Sequence, residues 1–250
     1  MRYNELVDEQ RRVTECSCGT MLVLGGAGTG KTTTALWTAR KELERLDAAD
    51  PSRFAEHRVL FLTFSRTATA RIGERSAGIL VPGIAERVDI ATFHGLSHRI
   101  LNQFGRYASL GIGEIKIRTP AEVKLMGASP GVLSYDSLLP IALRLLQSPL
   151  IGRLFANRWS LVICDEFQDT GTAQWNLLTL LGKNARLGLL ADANQMIYTF
   201  LNGVSSERLV LAKWSRSIVR QGFRPLGVGR GLLYRFGVVP GVVPGVGVGR

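Results

Sequence analysis

Apolar residues in this chain gather into short unbroken runs. Each run ends in a polar or glycine-rich turn, and most of these turns lead into a helical pattern. Met21-Leu22-Val23-Leu24 precedes a glycine cluster, and Thr33 to Leu46 behind it reads as a helix. Arg58 to Phe64 is a run of the kind buried on both faces. Ser65 follows as an N-cap, and Thr67 to Ile72 begins a helix. Val88 to Ala91 is a further strand, followed by Thr92-Phe93-His94-Gly95 and a helix from Leu96 to Phe104. Ser160 to Cys164 and Ala185 to Ala191 are two more apolar strands. Tyr3 to Glu15 has amphipathic spacing, with Leu6 and Val13 directed inward. Apolar strands separated by helices predict an α/β fold, a mostly parallel sheet with helices on both faces. Ligands of such sheets bind outside the carboxyl ends of the strands.

Three stretches read differently. Over residues 105–157 the pattern is weaker and predicts a short helical insertion: a helix at Ala121 to Met126, a turn at Gly127 to Gly131, an apolar helix from Ser134 to about Leu146, and a turn or two over Leu150 to Asn157. Asp47 to Ser52 is a loop by composition. Beyond Gly222 glycine and valine dominate, and Val238 to Arg250 has neither helical nor strand period. A domain over 1–224 with a disordered tail at 225–250 is the expectation.

At 250 residues, 46% of them hydrophobic and 20% charged, the chain has the composition of an ordinary globular protein. No apolar run reaches the roughly 18–20 residues of a membrane span, and the N-terminus lacks a signal peptide's apolar stretch. Cys16, Cys18 and Cys164 are too few and too scattered for a disulfide framework or a zinc site, so the cytoplasm is the expected location. The net charge of +11 invites a nucleic-acid reading. Eight of those charges lie beyond Glu207, where no acidic residue occurs, which leaves the main body only +3. The motifs must therefore carry that reading.

Gly25-Gly26-Ala27-Gly28-Thr29-Gly30-Lys31-Thr32 fits the phosphate-loop pattern G-x-x-x-x-G-K-[ST], with a strand before it and a helix after it. Glycines let successive N–H groups turn toward polyphosphate at a helix N-terminus, where the dipole already favours anions. Lys31 reaches the β- and γ-phosphates in this arrangement, and the Thr32 hydroxyl holds Mg²⁺. Asp165-Glu166 ends the strand at 160–164. A carboxylate pair there suits Mg²⁺-assisted phosphoryl transfer, with Asp165 on the metal and Glu166 deprotonating water. Gln195, just past the strand at 185–191, is placed to touch the γ-phosphate. Gln10, upstream of the loop, is either an adenine reader through its amide or a solvated helix residue. Phe64 at a strand's carboxyl end is either core or a base-stacking ring. His94 and His98 share a helical face, but no glutamate follows His94, so it reads as a phosphate or base contact and not as a metal ligand. Tyr198 and Phe200 alternate, which also suits a hairpin core.

Together these strings resemble superfamily 1 DNA helicases of the UvrD/Rep type, over about residues 3–224. Asp165-Glu166-Phe167-Gln168-Asp169-Thr170 matches the family's D-E-F-Q-D-T unchanged. Asn4 with Gln10 resembles its adenine-reading glutamine motif, and 25–32 its Walker A element. Leu62-Thr63-Phe64-Ser65-Arg66-Thr67-Ala68 and Ala91-Thr92-Phe93-His94-Gly95-Leu96 resemble segments that line single-stranded DNA. Tyr135-Asp136-Ser137-Leu138-Leu139 matches a common F-D-D-L-L helix start.

The resemblance implies a P-loop NTPase domain of RecA-like fold that binds ATP, Mg²⁺ and single-stranded DNA. It also implies DNA contacts at Thr63, Phe64, Ser65, Thr92, His94, Tyr198 and Phe200, and γ-phosphate contacts at Gln195 and Arg224. Departures exist: Leu201-Asn202-Gly203 replaces R-G-A, the accessory insertion is short, and no second RecA-like lobe follows. A truncated or frame-shifted product, with a partner chain supplying the second lobe and with weak or absent unwinding, is the expectation. Two alternatives remain at this stage: a non-catalytic DNA-binding fragment, and a P-loop enzyme acting on a small substrate.

Overall fold

A computed structural model describes residues 3–17, 19–108, 115–126 and 131–192, together with the backbone of 217–220. The elements in order are α1 (Asp8–Glu15), β1 (Thr20–Leu24), α2 (Lys31–Ala49), β2 (Val59–Thr63), α3 (Arg66–Ser76), α4 (Pro82–Ala85), β3 (Val88–Thr92) and α5 (Phe93–Phe104). There follow β4 (Lys116–Arg118), α6 (Pro120–Met126), β5 (Val132–Ser134), α7 (Leu138–Leu146), α8 (Pro149–Ala156), β6 (Leu161–Cys164), α9 (Thr172–Leu181), β7 (Arg186–Ala191) and β8 (Ser217–Arg220).

Six strands form one sheet in the order β3-β2-β6-β7-β1-β8, and every neighbouring pair is parallel. Parallel pairing requires crossovers, and the helices supply them on both faces. Alternation along the strands divides the core in two. Leu22, Leu60, Leu62, Val162, Cys164 and Leu189 pack against α5, α7, α8 and α9. Met21, Val23, Val59, Phe61, Leu161, Ile163 and Leu190 pack against α1, α2 and α3. The carboxyl ends of β1, β2, β6 and β7 therefore open on a single edge.

Several sequence expectations change in detail. The helix expected over 3–15 is interrupted, with a 3-10 turn at Tyr3–Glu5 and extended backbone at Val7 before α1 starts. The loop expected at 47–52 is helical as far as Ala49. There Asp47 pairs with Arg87, 40 residues further on, and Asp50 then caps the turn at Pro51–Arg53. The stretch 105–157 is not purely helical, because β4 and β5 pair as a small parallel sheet. Within it α7 and α8 bury Leu138, Leu139, Ala142, Leu146, Ile151 and Phe155 in the main core. Among the described residues no single helix is long and apolar enough to cross a membrane. The turn at 127–130, Gln195, Tyr198, Phe200, Arg224 and the tail lie outside the described residues.

Candidate functional site

The loop after β1 is shaped by its glycines. Gly28 and Gly30 have φ of 76° and 85°, and Gly30 is the left-handed N-cap of α2. A Cβ on Gly30 would lie 2.7 Å from Gln10 Nε2, and one on Gly25 would lie 2.6 Å from Thr29 Oγ1. Lys31 Nζ donates to the carbonyls of Gly25 at 2.8 Å and Gly26 at 3.0 Å. Thr29 Oγ1 donates to Gly26 O, which draws the loop into a compact turn. Thr32 is half-buried in the first turn of α2. The solvated reading of Gln10 is corrected: it is 5% exposed, accepts from Val7 N and donates from Nε2 to Thr29 O at 3.2 Å. Its amide thus joins α1 to the phosphate loop.

The acidic pair stands two strands away, at the end of β6. Asp165 N donates to Leu62 O, which continues the β2–β6 ladder by one residue. By alternation Asp165 and Thr63 face α2, while Cys164 and Phe64 face α5 and α7. Asp165 is 8% exposed. Burial, then the neighbouring Glu166, push its carboxyl above the ordinary value, while Lys31 and Arg75 pull the other way. The Walker-type lysine and the aspartate therefore sense one another, although 134 positions separate them. Glu166 has φ of 51°, the left-handed region that side chains other than glycine rarely enter. Gly25 N donates to Ala191 O and Asp192 N to Gln168 Oε1, so the loops after β1 and β6 are both tied to the end of β7. A buried carboxyl under the influence of Lys31, beside a glycine loop with no room for a Cβ at Gly25 or Gly30, fits a polyphosphate with a divalent cation.

The other face of β2 leads to aromatic rings. Phe64 lies 5.1 Å from Phe93, centroid to centroid, and His94 stacks on Tyr135 at 4.1 Å with an 18° interplanar angle. Burial holds the His94 imidazole below its ordinary value, against the opposing charge of Asp136. Burial thus favours the neutral ring, suited to stacking more than to ion pairing. Ser65 Oγ accepts from Ala68 N and Thr92 Oγ1 from Gly95 N, so both hydroxyls cap helices, α3 and α5. Those two helix N-termini lie side by side, because β2 and β3 pair Thr63 with Thr92. Thr63 itself is 1% exposed, and its hydroxyl has no hydrogen-bond partner among the described residues. Its side chain lies inside the protein and not on the surface with Phe64 and Ser65. Tyr135 and Gln168 are the residues the site-by-site reading passed over. The helix-start match at 135–139 was the available signal for the first, and its position inside the acidic string was the signal for the second.

The strand order, the glycine loop at the end of β1 and the acidic pair at the end of β6 define a P-loop protein of the RecA-like α/β class. The profile of the UvrD/REP helicase N-terminal domain matches residues 6–119 and 121–212. The chain belongs to that family. It is similar to the ATP-dependent DNA helicase PcrA of Leuconostoc citreum, 23% identical over 255 residues, covering 78% of this chain and 33% of that protein. A probable DNA helicase II homologue of Mycoplasma genitalium is 24% identical, over 79% of this chain and 37% of its own length. The ATP-dependent DNA helicase Rep of Escherichia coli is 35% identical over 82 residues, 32% of this chain and 12% of Rep. The chain thus spans about a third of the length of the first two of these relatives.

Proposed function

We propose that this chain binds magnesium ATP at the carboxyl edge of its sheet and single-stranded DNA on the adjoining aromatic face, as the first motor domain of a superfamily 1 DNA helicase. The observation that carries this reading is the meeting, at one sheet edge, of the loop 25–32 with the Asp165-Glu166 pair, Lys31 bearing on Asp165. Backbone N–H groups of the loop cradle the phosphates, and Lys31 exchanges its contacts with Gly25 O and Gly26 O for phosphate oxygens. Thr32 and Asp165 hold Mg²⁺, which supplies charge neutralisation on the phosphates. Glu166 accepts a proton from the attacking water as the water oxygen bonds the terminal phosphorus and ADP departs with the bridging oxygen. On this reading Gln10 meets the adenine edge by giving up its bonds to Val7 N and Thr29 O, and Gln195 and Arg224, by the family resemblance, contact the terminal phosphate.

On the other face Phe64 and His94 stack on bases, with Tyr135 behind His94. The paired N-termini of α3 and α5, capped by Ser65 and Thr92, face the DNA phosphates. By the family resemblance Tyr198 and Phe200 also contact DNA, whereas Thr63 belongs to the interior.

The test is a titration of the purified chain with a fluorescent ATP analogue and Mg²⁺, followed by ATP hydrolysis with and without single-stranded DNA. Binding abolished by Lys31→Ala, and slow turnover raised by DNA, are expected. Absence of nucleotide binding refutes the reading. DNA binding with no turnover favours a non-catalytic module, and turnover indifferent to DNA favours a small-substrate enzyme.

A further inference from the structure

We propose that Gln168 is a positioning residue for Glu166, and that it ties the orientation of that carboxylate to the segment leaving β7. The inference rests on the reading of Glu166 as the base that takes the proton of the attacking water. Gln168 Nε2 donates to Glu166 Oε2 at 2.6 Å, and Gln168 Oε1 accepts from Asp192 N at 3.1 Å. Both ends of one amide are thus engaged across two loops, one after β6 and one after β7. Asp192 is the first residue beyond β7, so its N–H moves with whatever moves the chain there.

The amide is itself held in place. Phe167–Asp169 form a 3-10 turn closed by Asp169 N to Glu166 O at 2.9 Å and Thr170 N to Phe167 O at 3.1 Å. The Thr170 hydroxyl donates to that same Phe167 carbonyl at 2.6 Å. Phe167 is 3% exposed and packs against Trp175 with 5.6 Å between ring centroids. Glu166 meanwhile holds the unusual φ of 51°. A carboxylate on a strained backbone has a fixed Cα–Cβ direction, but its outer torsions remain free to wander. The Gln168 amide restrains them. A base displaced by about 1 Å from its line of attack loses on the order of 100-fold in rate, so a restraint of this kind is felt in the chemical step more than in nucleotide binding.

Gln168→Met removes both hydrogen bonds at similar volume. Gln168→Asn keeps the amide one carbon shorter and serves as the milder second variant. Each is made in the full chain and also with Glu166→Gln. Thermal melts confirm folding, a fluorescent ATP analogue with Mg²⁺ gives Kd, and single-turnover cleavage of ATP by excess protein gives the rate. Expected for Gln168→Met is a rate loss between ~10- and ~100-fold with Kd within about twofold, and no further loss once Glu166 is already Gln, because Gln168 acts through Glu166. A rate within twofold of wild type overturns the inference. So does a Kd that weakens in step with the rate, or a second loss in the Glu166→Gln background. Wild-type chain that binds nucleotide but cleaves none overturns it as well, leaving nucleotide binding intact. Wild-type chain that binds no nucleotide overturns the functional reading beneath it.

Discussion

Replacing Gly30 by alanine tests how the phosphate loop is built. Two penalties are visible at this position. Its φ of 85° is left-handed, which costs an alanine about 1–2 kcal/mol. Its Cβ would also stand 2.7 Å from Gln10 Nε2, which must then leave Thr29 O. Losing that hydrogen bond adds ~0.5–1.5 kcal/mol. Gly30→Ala should therefore destabilise the chain by roughly 1.5–3.5 kcal/mol.

Gly28→Ala is the natural control: its φ is 76°, but nothing lies within 4 Å of the added Cβ, so only the backbone penalty applies. Urea unfolding at equal m-value gives both numbers, and the ATP-analogue titration gives the loss of affinity that follows from a displaced loop. In a Gln10→Ala background the excess cost of Gly30→Ala over Gly28→Ala should vanish. Equal costs for the two glycines in the wild-type background, or an excess that survives removal of Gln10, would refute the assignment of Gln10 as the side chain that packs on the loop.

Thr63→Val replaces a buried hydroxyl, without a partner among the described residues, by a methyl of the same shape and should stabilise the fold by about 1 kcal/mol in urea unfolding. Asp47→Asn strips the 4%-exposed Arg87 of a two-pronged partner at 2.8 Å on each oxygen and should cost ~2–4 kcal/mol. Arg87 holds the Asp47 carboxyl below its ordinary value, so that stabilisation is complete above the unfolded-chain pKa and drains away as pH falls through the lower folded value. The variant's stability curve should lack that acid-side loss. His94→Ala breaks the stack with Tyr135 and should weaken single-stranded DNA binding by about 1–3 kcal/mol at fixed salt, in fluorescence anisotropy, with nucleotide Kd unchanged.

The central strands were legible because parallel strands buried on both faces must be continuously apolar, and Val59–Thr63, Leu161–Cys164 and Arg186–Ala191 each sit within such a run. What local pattern does not carry is pairing at a distance. β4 and β5 are three residues each, and no residue of β4 is buried, so only their mutual register reveals them. α9 carries apolar residues on more than one side and no side-chain cap, so no single helical stripe marks it in the sequence. The end of α2 is set by Arg87, which lies far along the chain.

In the site, the residue types and the sheet edge followed from the motifs, while orientation did not. Thr63 and Phe64 are adjacent in sequence yet face opposite layers. Gln10 is buried because its acceptor, Thr29 O, belongs to another element. The left-handed backbone of Glu166 and the amide bridge from Gln168 to Asp192 have no counterpart in composition or period.

A crystal structure of the full chain grown with ADP, Mg²⁺ and a fluoride mimic of the transferring phosphoryl group bears most directly on the proposed site. The expected result is one nucleotide at the edge between β1 and β6, with Lys31 Nζ moved from Gly25 O and Gly26 O onto phosphate oxygens. Thr32 and Asp165 should then flank the metal, and Glu166 should face the in-line water. Nucleotide bound elsewhere, or bound with Lys31 still on its carbonyls and Asp165 remote from the cation, would contradict it.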